Sequence, residues 1–164
     1  MEMKEEGYYP HIMQRFTELF ESKGYKAHFE ITAAKKFSNK LKNKIPDHRH
    51  IIFYFLKDVA PDITGFVSKD GSTDFVVIEV KNEEIKLDHI YQTRKYAEFF
   101  DARFAFLIST EEIPEEIKRL SKVIYSLLSL PAYGRLTLIQ FDNTTKSLQD
   151  WYPENPFEIE YYWR

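Results

Sequence analysis

The sequence predicts a mixed α/β fold, one sheet covered by helices and built as a single domain over residues 1–164. Three observations lead there. Apolar residues recur at helical spacing at Ile12, Phe16, Leu19 and Phe20. Two β-rich apolar runs flank Asp70-Gly71, a pair suited to a type I′ turn because both of its central residues need positive φ. Beyond them, helical segments alternate with short apolar runs. With 43% apolar and 30% charged residues, the composition fits neither a disordered tail nor a membrane span. The absence of cysteine excludes disulfides, thiolate metal sites and thiol nucleophiles together.

Taken in order, a helix is expected over Pro10–Lys23, stopped by Gly24, and a strand over Tyr25–Thr32. Residues 33–50 lack a sustained apolar face and read as an exposed loop or short helix, and Ile51–Leu56 reads as a buried strand. Strands at about 62–68 and 74–81 form the hairpin. Asp88 reads as the N-cap of a helix reaching Phe100, and Phe104–Ser109 as a buried strand. Pro114 opens a helix that Pro131 ends, and Leu136–Phe141 is a strand. The tail 157–163 alternates with period two and reads as a last strand sealing the sheet edge, with a homodimer interface as the alternative.

The net charge of −3 gives no global attraction to nucleic acid, but charge is segregated along the chain. Lys35, Lys36, Lys40, Lys42, Lys44 and Arg49 lie within 35–50 against one acid, Asp47, whereas residues 142–164 are acidic. That basic segment is either a solvated face or a surface that tracks a phosphate backbone, with binding that weakens steeply as salt rises. Residues 1–7 are charged with no apolar run behind them, which does not fit a signal peptide, so a cytoplasmic location and no membrane contact are expected. His48 and His50 lack a third convergent ligand for zinc, and His28 and His89 read as ordinary residues. Nucleotide-loop, serine-hydrolase and zinc-protease motifs are all missing from the sequence.

The chemistry concentrates in the hairpin. Glu79 and Lys81 share a strand face with Phe75 and Val77, while Val76, Ile78 and Val80 occupy the other. With Asp70 and Gly71 at the turn centre, Phe66 faces Phe75, Ile63 faces Ile78, and Asp62 faces Glu79 with Cβ atoms about 5 Å apart. Like charges at that distance repel. Either one carboxyl holds a proton or a cation lies between them, and hard oxygen donors suit Mg²⁺ or Mn²⁺. Lys81, one step along the face, could position a nucleophilic water or neutralise charge developing on phosphorus.

Pro61-Asp62, the hairpin, and then Glu79-Val80-Lys81 resemble the PD-(D/E)XK nuclease superfamily, with its restriction-endonuclease-like αβββαβ core, here over about residues 10–109. Gln92-Thr93-Arg94-Lys95-Tyr96 matches the Gln-x-x-x-Tyr helix of RecB-like and resolvase-like branches. The resemblance implies Mg²⁺-dependent hydrolysis of DNA, with Mn²⁺ able to substitute. Asp62, Glu79 and the Val80 carbonyl would be the metal ligands and Lys81 the catalytic lysine. Gln92 would reach toward the metal or phosphate, supported by Tyr96. Many branches carry a glutamate early in the first helix. Here that region offers His11 and Gln14, with Glu18 and Glu21 later, so the ligand stays open with Glu18 preferred. Pro46-Asp47 is a second Pro-Asp but has no hairpin relation to Glu79.

The resemblance leaves a helix-strand extension, 110–164, unexplained. RNA is the alternative substrate, and nuclease domains of this size also act beside a helicase or recognition subunit. The competing class is a catalytically inactive module of the same fold that binds nucleic acid or a protein partner.

Overall fold

The computed structural model describes residues 4–163, apart from the side chains of Tyr161 and Tyr162. A six-stranded mixed sheet runs in sequence order: β1 (Lys26–Ile31), β2 (Ile63–Lys69), β3 (Ser72–Lys81), β4 (Phe104–Ser109), β5 (Arg135–Asp142) and β6 (Ser147–Tyr152). The first three strands form an antiparallel meander, β3, β4 and β5 are parallel, and β6 returns antiparallel to β5. No helix among the described residues is long and apolar enough to cross a membrane.

Helix α1 (Tyr9–Ser22) covers one face of the sheet. Ile12, Phe16 and Phe20 sit on Val76, Ile78 and Val80 of β3 and on Phe104, Phe106 and Ile108 of β4. It ends as the sequence predicts: Gly24 adopts φ +87° and the Tyr25 N–H returns to the Phe20 carbonyl at 3.1 Å. The other face packs Val77, Ala105, Leu107, Leu136 and Leu138 beneath Ile90, Tyr96, Ala97 and Phe100, which lie on the long helix between β3 and β4 (Leu87–Phe100). Because β3 is apolar on both faces it lies inside the sheet. The predicted hairpin register is the observed one, with Ile63 opposite Ile78 and Lys69 opposite Ser72. Asp70 at φ +52° and Gly71 at φ +82° close the turn.

Several expectations fail, each for a local reason. Residues 51–56 are not a strand but contain a short helix (Ile52–Phe55). Ile52 and Leu56, four apart, are buried while Ile51, Tyr54 and Phe55 are exposed, which is helical spacing; β1 and β2 already pair directly, leaving no slot between them. With the short helix Asn39–Lys42, the connection therefore adds α2 (Asn39–Lys42) and α3 (Ile52–Phe55), and the long helix is α4 (Leu87–Phe100). Lys86 rather than Asp88 is the N-cap of α4; its N–H donates to His89 Nδ1 at 3.0 Å.

The helix expected up to Pro131 stops early, as α5 (Glu115–Ser121). The chain then turns, and the Arg94 guanidinium collects the carbonyls of Ser126, Leu127 and Ser129, which a continuing helix would have used internally. The tail is not an edge strand. Pro156 and the Asn155 side chain, which accepts from Phe157 N–H at 2.9 Å, start a 3₁₀ turn, and Phe157 and Trp163 pack into the aromatic core under α1. The edge strand at this end is instead β6, which the sequence analysis misses because its core-packed Leu148 and Trp151 are three residues apart, across an irregularity where Asp150 adopts φ +54°, and so break the period of two.

Candidate active site

The site forms where the β2–β3 ladder runs out. Beyond Ile63–Ile78 the register brings Asp62 to Glu79, and the two strands exchange hydrogen bonds through these side chains instead of through the backbone. Asp62 N–H donates to Glu79 Oε1 at 2.8 Å, and Val80 N–H donates to Asp62 Oδ2 at 2.8 Å. One step further the register sets Pro61 opposite Val80. Proline has no N–H, so that position gives the Val80 carbonyl no ladder donor. The Pro61 carbonyl is taken instead by buried Thr32, whose Oγ1 donates to it at 2.6 Å and lies 2.8 Å from Thr64 Oγ1. Pro61-Asp62 is thus pinned from β1 as well as β3, with Thr32 N–H donating to the Asp62 carbonyl at 2.9 Å.

Glu79 is 3% exposed, and among the described residues its near cation is Lys81, with Nζ 3.9 Å from Oε2. Burial, then the charge of Asp62, pushes the Glu79 carboxyl up to about 8. Asp62 is also raised, chiefly by burial, against the opposing effects of the Val80 N–H, the Tyr9 hydroxyl and Lys81. The site therefore sets two carboxyl groups beside one lysine, and Glu79 keeps its proton near neutral pH unless a cation takes the proton's place.

Two residues that the sequence analysis overlooks complete this environment. Glu5 lies in the 3₁₀ turn Glu5–Tyr8 that precedes α1, where its carboxylate accepts the Asn82 N–H and feels both Lys81 and Asp62. Burial is the main reason its carboxyl is raised. Tyr9, buried at the start of α1, donates its hydroxyl to Asp62 and is itself raised by burial and by that carboxylate. Glu18, the preferred first-helix acid, is instead on the outer surface of α1. It pairs with Arg15 at 3.0 Å and accepts from Gln14. Nine residues beyond Tyr9, it is about 13 Å further along the helix axis. The signal for Glu5 is the acidic pair Glu5-Glu6 just ahead of the helix, outside the first-helix span in which the resemblance places an acid.

From the other side, α4 presents Gln92 and Tyr96, with Gln92 Nε2 donating to Tyr96 Oη at 3.2 Å. Tyr96 is buried, and its hydroxyl is raised by burial and then by the charges of Glu79 and Asp62. His89, read as an ordinary residue, is half-buried and feels the Lys81 charge. Burial and the Lys81 charge lower its pKa, and because Nδ1 accepts the Lys86 N–H, the neutral ring carries its proton on Nε2, 3.3 Å from Glu83.

The basic segment divides. Arg49 donates to the Phe99 carbonyl at 2.6 Å and so caps the C-terminus of α4. Lys42 lies over the Phe53 ring and Lys44 over Phe66, while Lys35, Lys36 and Lys40 are exposed. Pro46-Asp47 begins a 3₁₀ turn near this surface.

Among the described residues, no three His, Cys, Asp or Glu side chains form a ready-made metal cage. What the geometry offers is two carboxylates, each with one oxygen committed to the opposite strand, and a carbonyl without a ladder partner. That donor set fits a hard divalent cation that keeps several waters, because such an ion takes one or two carboxylates and needs no full protein shell. Neither family models, curated proteins nor solved structures give a match to this chain.

Proposed function

We propose that this protein is a metal-dependent nuclease of PD-(D/E)XK type that hydrolyses DNA phosphodiester bonds, with α1-β1-β2-β3-α4-β4 as a restriction-endonuclease-like core. One observation carries the reading. Two carboxyl groups from adjoining strands, Glu79 buried and Asp62 half-buried, are held against each other, each fixed by an N–H of the opposite strand, with Lys81 beside them. Structural ion pairs in proteins balance their charges; an uncompensated acid pair in a fixed frame is what a cation-binding site needs.

In this reading Asp62, Glu79 and the Val80 carbonyl hold Mg²⁺ or Mn²⁺. When bound, the ion supplies Lewis-acid polarisation of the phosphoryl oxygen and makes water nucleophilic near neutral pH. Lys81 presents its ammonium to the attacked phosphate, where it offsets charge developing in the transition state. Tyr9 holds the Asp62 carboxylate in orientation. Gln92, braced by Tyr96, offers its amide to a phosphate oxygen or an ordered water. The exposed lysines Lys35, Lys36 and Lys40 supply sequence-independent attraction for the backbone.

The test is cleavage of labelled duplex, single-stranded, flap and four-way-junction DNA with Mg²⁺, Mn²⁺ or chelator, and of matching RNA. Wild type is expected to cut only with metal. Asp62→Asn, Glu79→Gln and Lys81→Met should each lower the rate by about 100-fold or more, the scale of losing a transition-state contact. Cutting that survives in all three variants, or wild type that neither cuts nor binds Mn²⁺, would sink the reading and favour a non-catalytic module.

A further inference from the structure

The connection between β1 and β2, residues 33–61, leaves the sheet at Thr32 and returns at Asp62, so it begins and ends at the acid pair. It packs on the same sheet face as α4, through Leu41, Ile45, Ile52 and Leu56, and that is the face onto which Glu79 and Lys81 project. Its outer surface carries an unusual set of side chains. Ile51, just ahead of α3, is 64% exposed, and Tyr54 and Phe55 on α3 are 63% and 52% exposed. Tyr54 meets Phe55 edge-on with centroids 5.2 Å apart, and Phe55 is stacked on Phe99 of α4 at 6.3 Å and 21°. Lys57 Nζ lies 5.4 Å from the Tyr54 ring centre. Phe99 is seven residues beyond Gln92 on α4, about 10 Å along the helix.

We infer that Tyr54 and Phe55 form a stacking shelf for unpaired bases, so that the preferred substrate of this site carries a single-stranded DNA segment. The inference rests on the phosphodiester-cleaving reading for the identity of the substrate. Charge complementarity selects the occupant. The rings sit within a segment whose six lysines, Lys35, Lys36, Lys40, Lys42, Lys44 and Lys57, outnumber its two acids, Asp47 and Asp58, while Arg49 is committed to the end of α4. A polyanion is drawn to that surface, whereas an apolar partner surface would have to strip water from the lysines. Among polyanions, a blunt duplex keeps its base faces stacked inside and presents only phosphates. A single strand presents both phosphates and π-faces, and aromatic platforms edged by cations bind it with little regard to sequence.

The test is fluorescence anisotropy in chelator, with a labelled oligothymidylate and a blunt duplex of equal length, on wild type, Tyr54→Ala/Phe55→Ala and Tyr54→Phe. Both rings are exposed, so circular dichroism melting should show the variants folded. Wild type is expected to bind oligothymidylate more tightly than duplex. The double alanine variant should lose about tenfold or more of the single-strand affinity and little of the duplex affinity, and Tyr54→Phe should retain it.

Equal loss on both DNAs, no loss, or no binding by wild type would overturn the shelf. So would a wild-type dimer in sedimentation that the double variant dissolves, because the rings would then serve a second copy of the chain. Failure of the two readings is separable. Ring-dependent binding without metal-dependent cutting removes the hydrolytic reading alone. Metal-dependent cutting of blunt duplex as fast as of single strands, unchanged in the double variant, removes the shelf alone.

Discussion

The β2–β3 hairpin carries acids at both ends, and the two ends treat them oppositely. Near the turn, Asp74 pairs with Arg103 at 3.1 Å, both half-exposed, and Asp70 sits in the tight turn itself beside Gly71. At the open end, Glu79 is buried and Asp62 half-buried beside Lys81, and Glu5, held by the Asn82 N–H, feels the same charges. The turn-end acids follow the ordinary rule that a carboxylate stays wet or finds a cation. The open-end acids break it, and a frame of backbone donors holds them in place while they do. A fold keeps such an arrangement at a cost to stability, and the proposed cation site rests on that cost being confined to the open end.

The sharpest way to probe this difference is through pH. Glu79 is raised to about 8 in the folded chain from an ordinary value of 4.5. Between those values the folded state retains a proton that the unfolded state has released, so the chain should lose stability as pH rises through that window. Melting temperature measured in chelator should fall by several degrees from pH 5 to pH 8, and Glu79→Gln should flatten the profile and melt higher at pH 8. Adding Mn²⁺ should raise the wild-type melting temperature at pH 8 more than at pH 5, because the ion competes with the retained proton. A profile in which the variant and wild type run parallel would show that the open end carries no special strain.

A smaller effect should follow from Tyr9→Phe, which removes one donor to a buried carboxylate. A cost of about 1 kcal/mol in urea unfolding is expected, together with a further rise in the Asp62 pKa followed by carboxyl NMR. An Asp62 titration that does not move would place Tyr9 in a packing role only. At the turn, Gly71→Ala meets no steric neighbour, yet it stands at φ +82°. It should therefore cost about 1 kcal/mol through backbone conformation, with metal binding unchanged. Smallest of all, Asp74→Asn removes a half-exposed pair and should change stability by about 0–1 kcal/mol, with no change in the pH profile. If it matched Glu79→Gln in size, the contrast between the ends would collapse.

Much of this was legible in the chain. Asp-Gly set the turn, the turn set the register, and the register alone carried Asp62 to Glu79 and Pro61 to Val80. Such reasoning works because a two-residue turn leaves no freedom in the pairing that follows it. It fails where position depends on what is left to pack against. The segment 51–56 has strand composition but no free edge to join, so it coils into α3. The aromatic tail has strand periodicity, but Pro156 just ahead of it opens a 3₁₀ turn and the core under α1 draws in its rings.

The sequence by itself determined the α/β class, the hairpin and the pairing of its two open-end acids, because these follow from local backbone preference and from a period of two. Tertiary structure alone decided that Glu5 and Tyr9, rather than Glu18, stand beside them, because a 3₁₀ turn ahead of α1 folds back against the end of β3. It also decided that Arg49 caps α4 while Tyr54 and Phe55 face water. Those choices depend on contacts between segments far apart in the chain, where burial and charge are set jointly by elements that no local pattern describes.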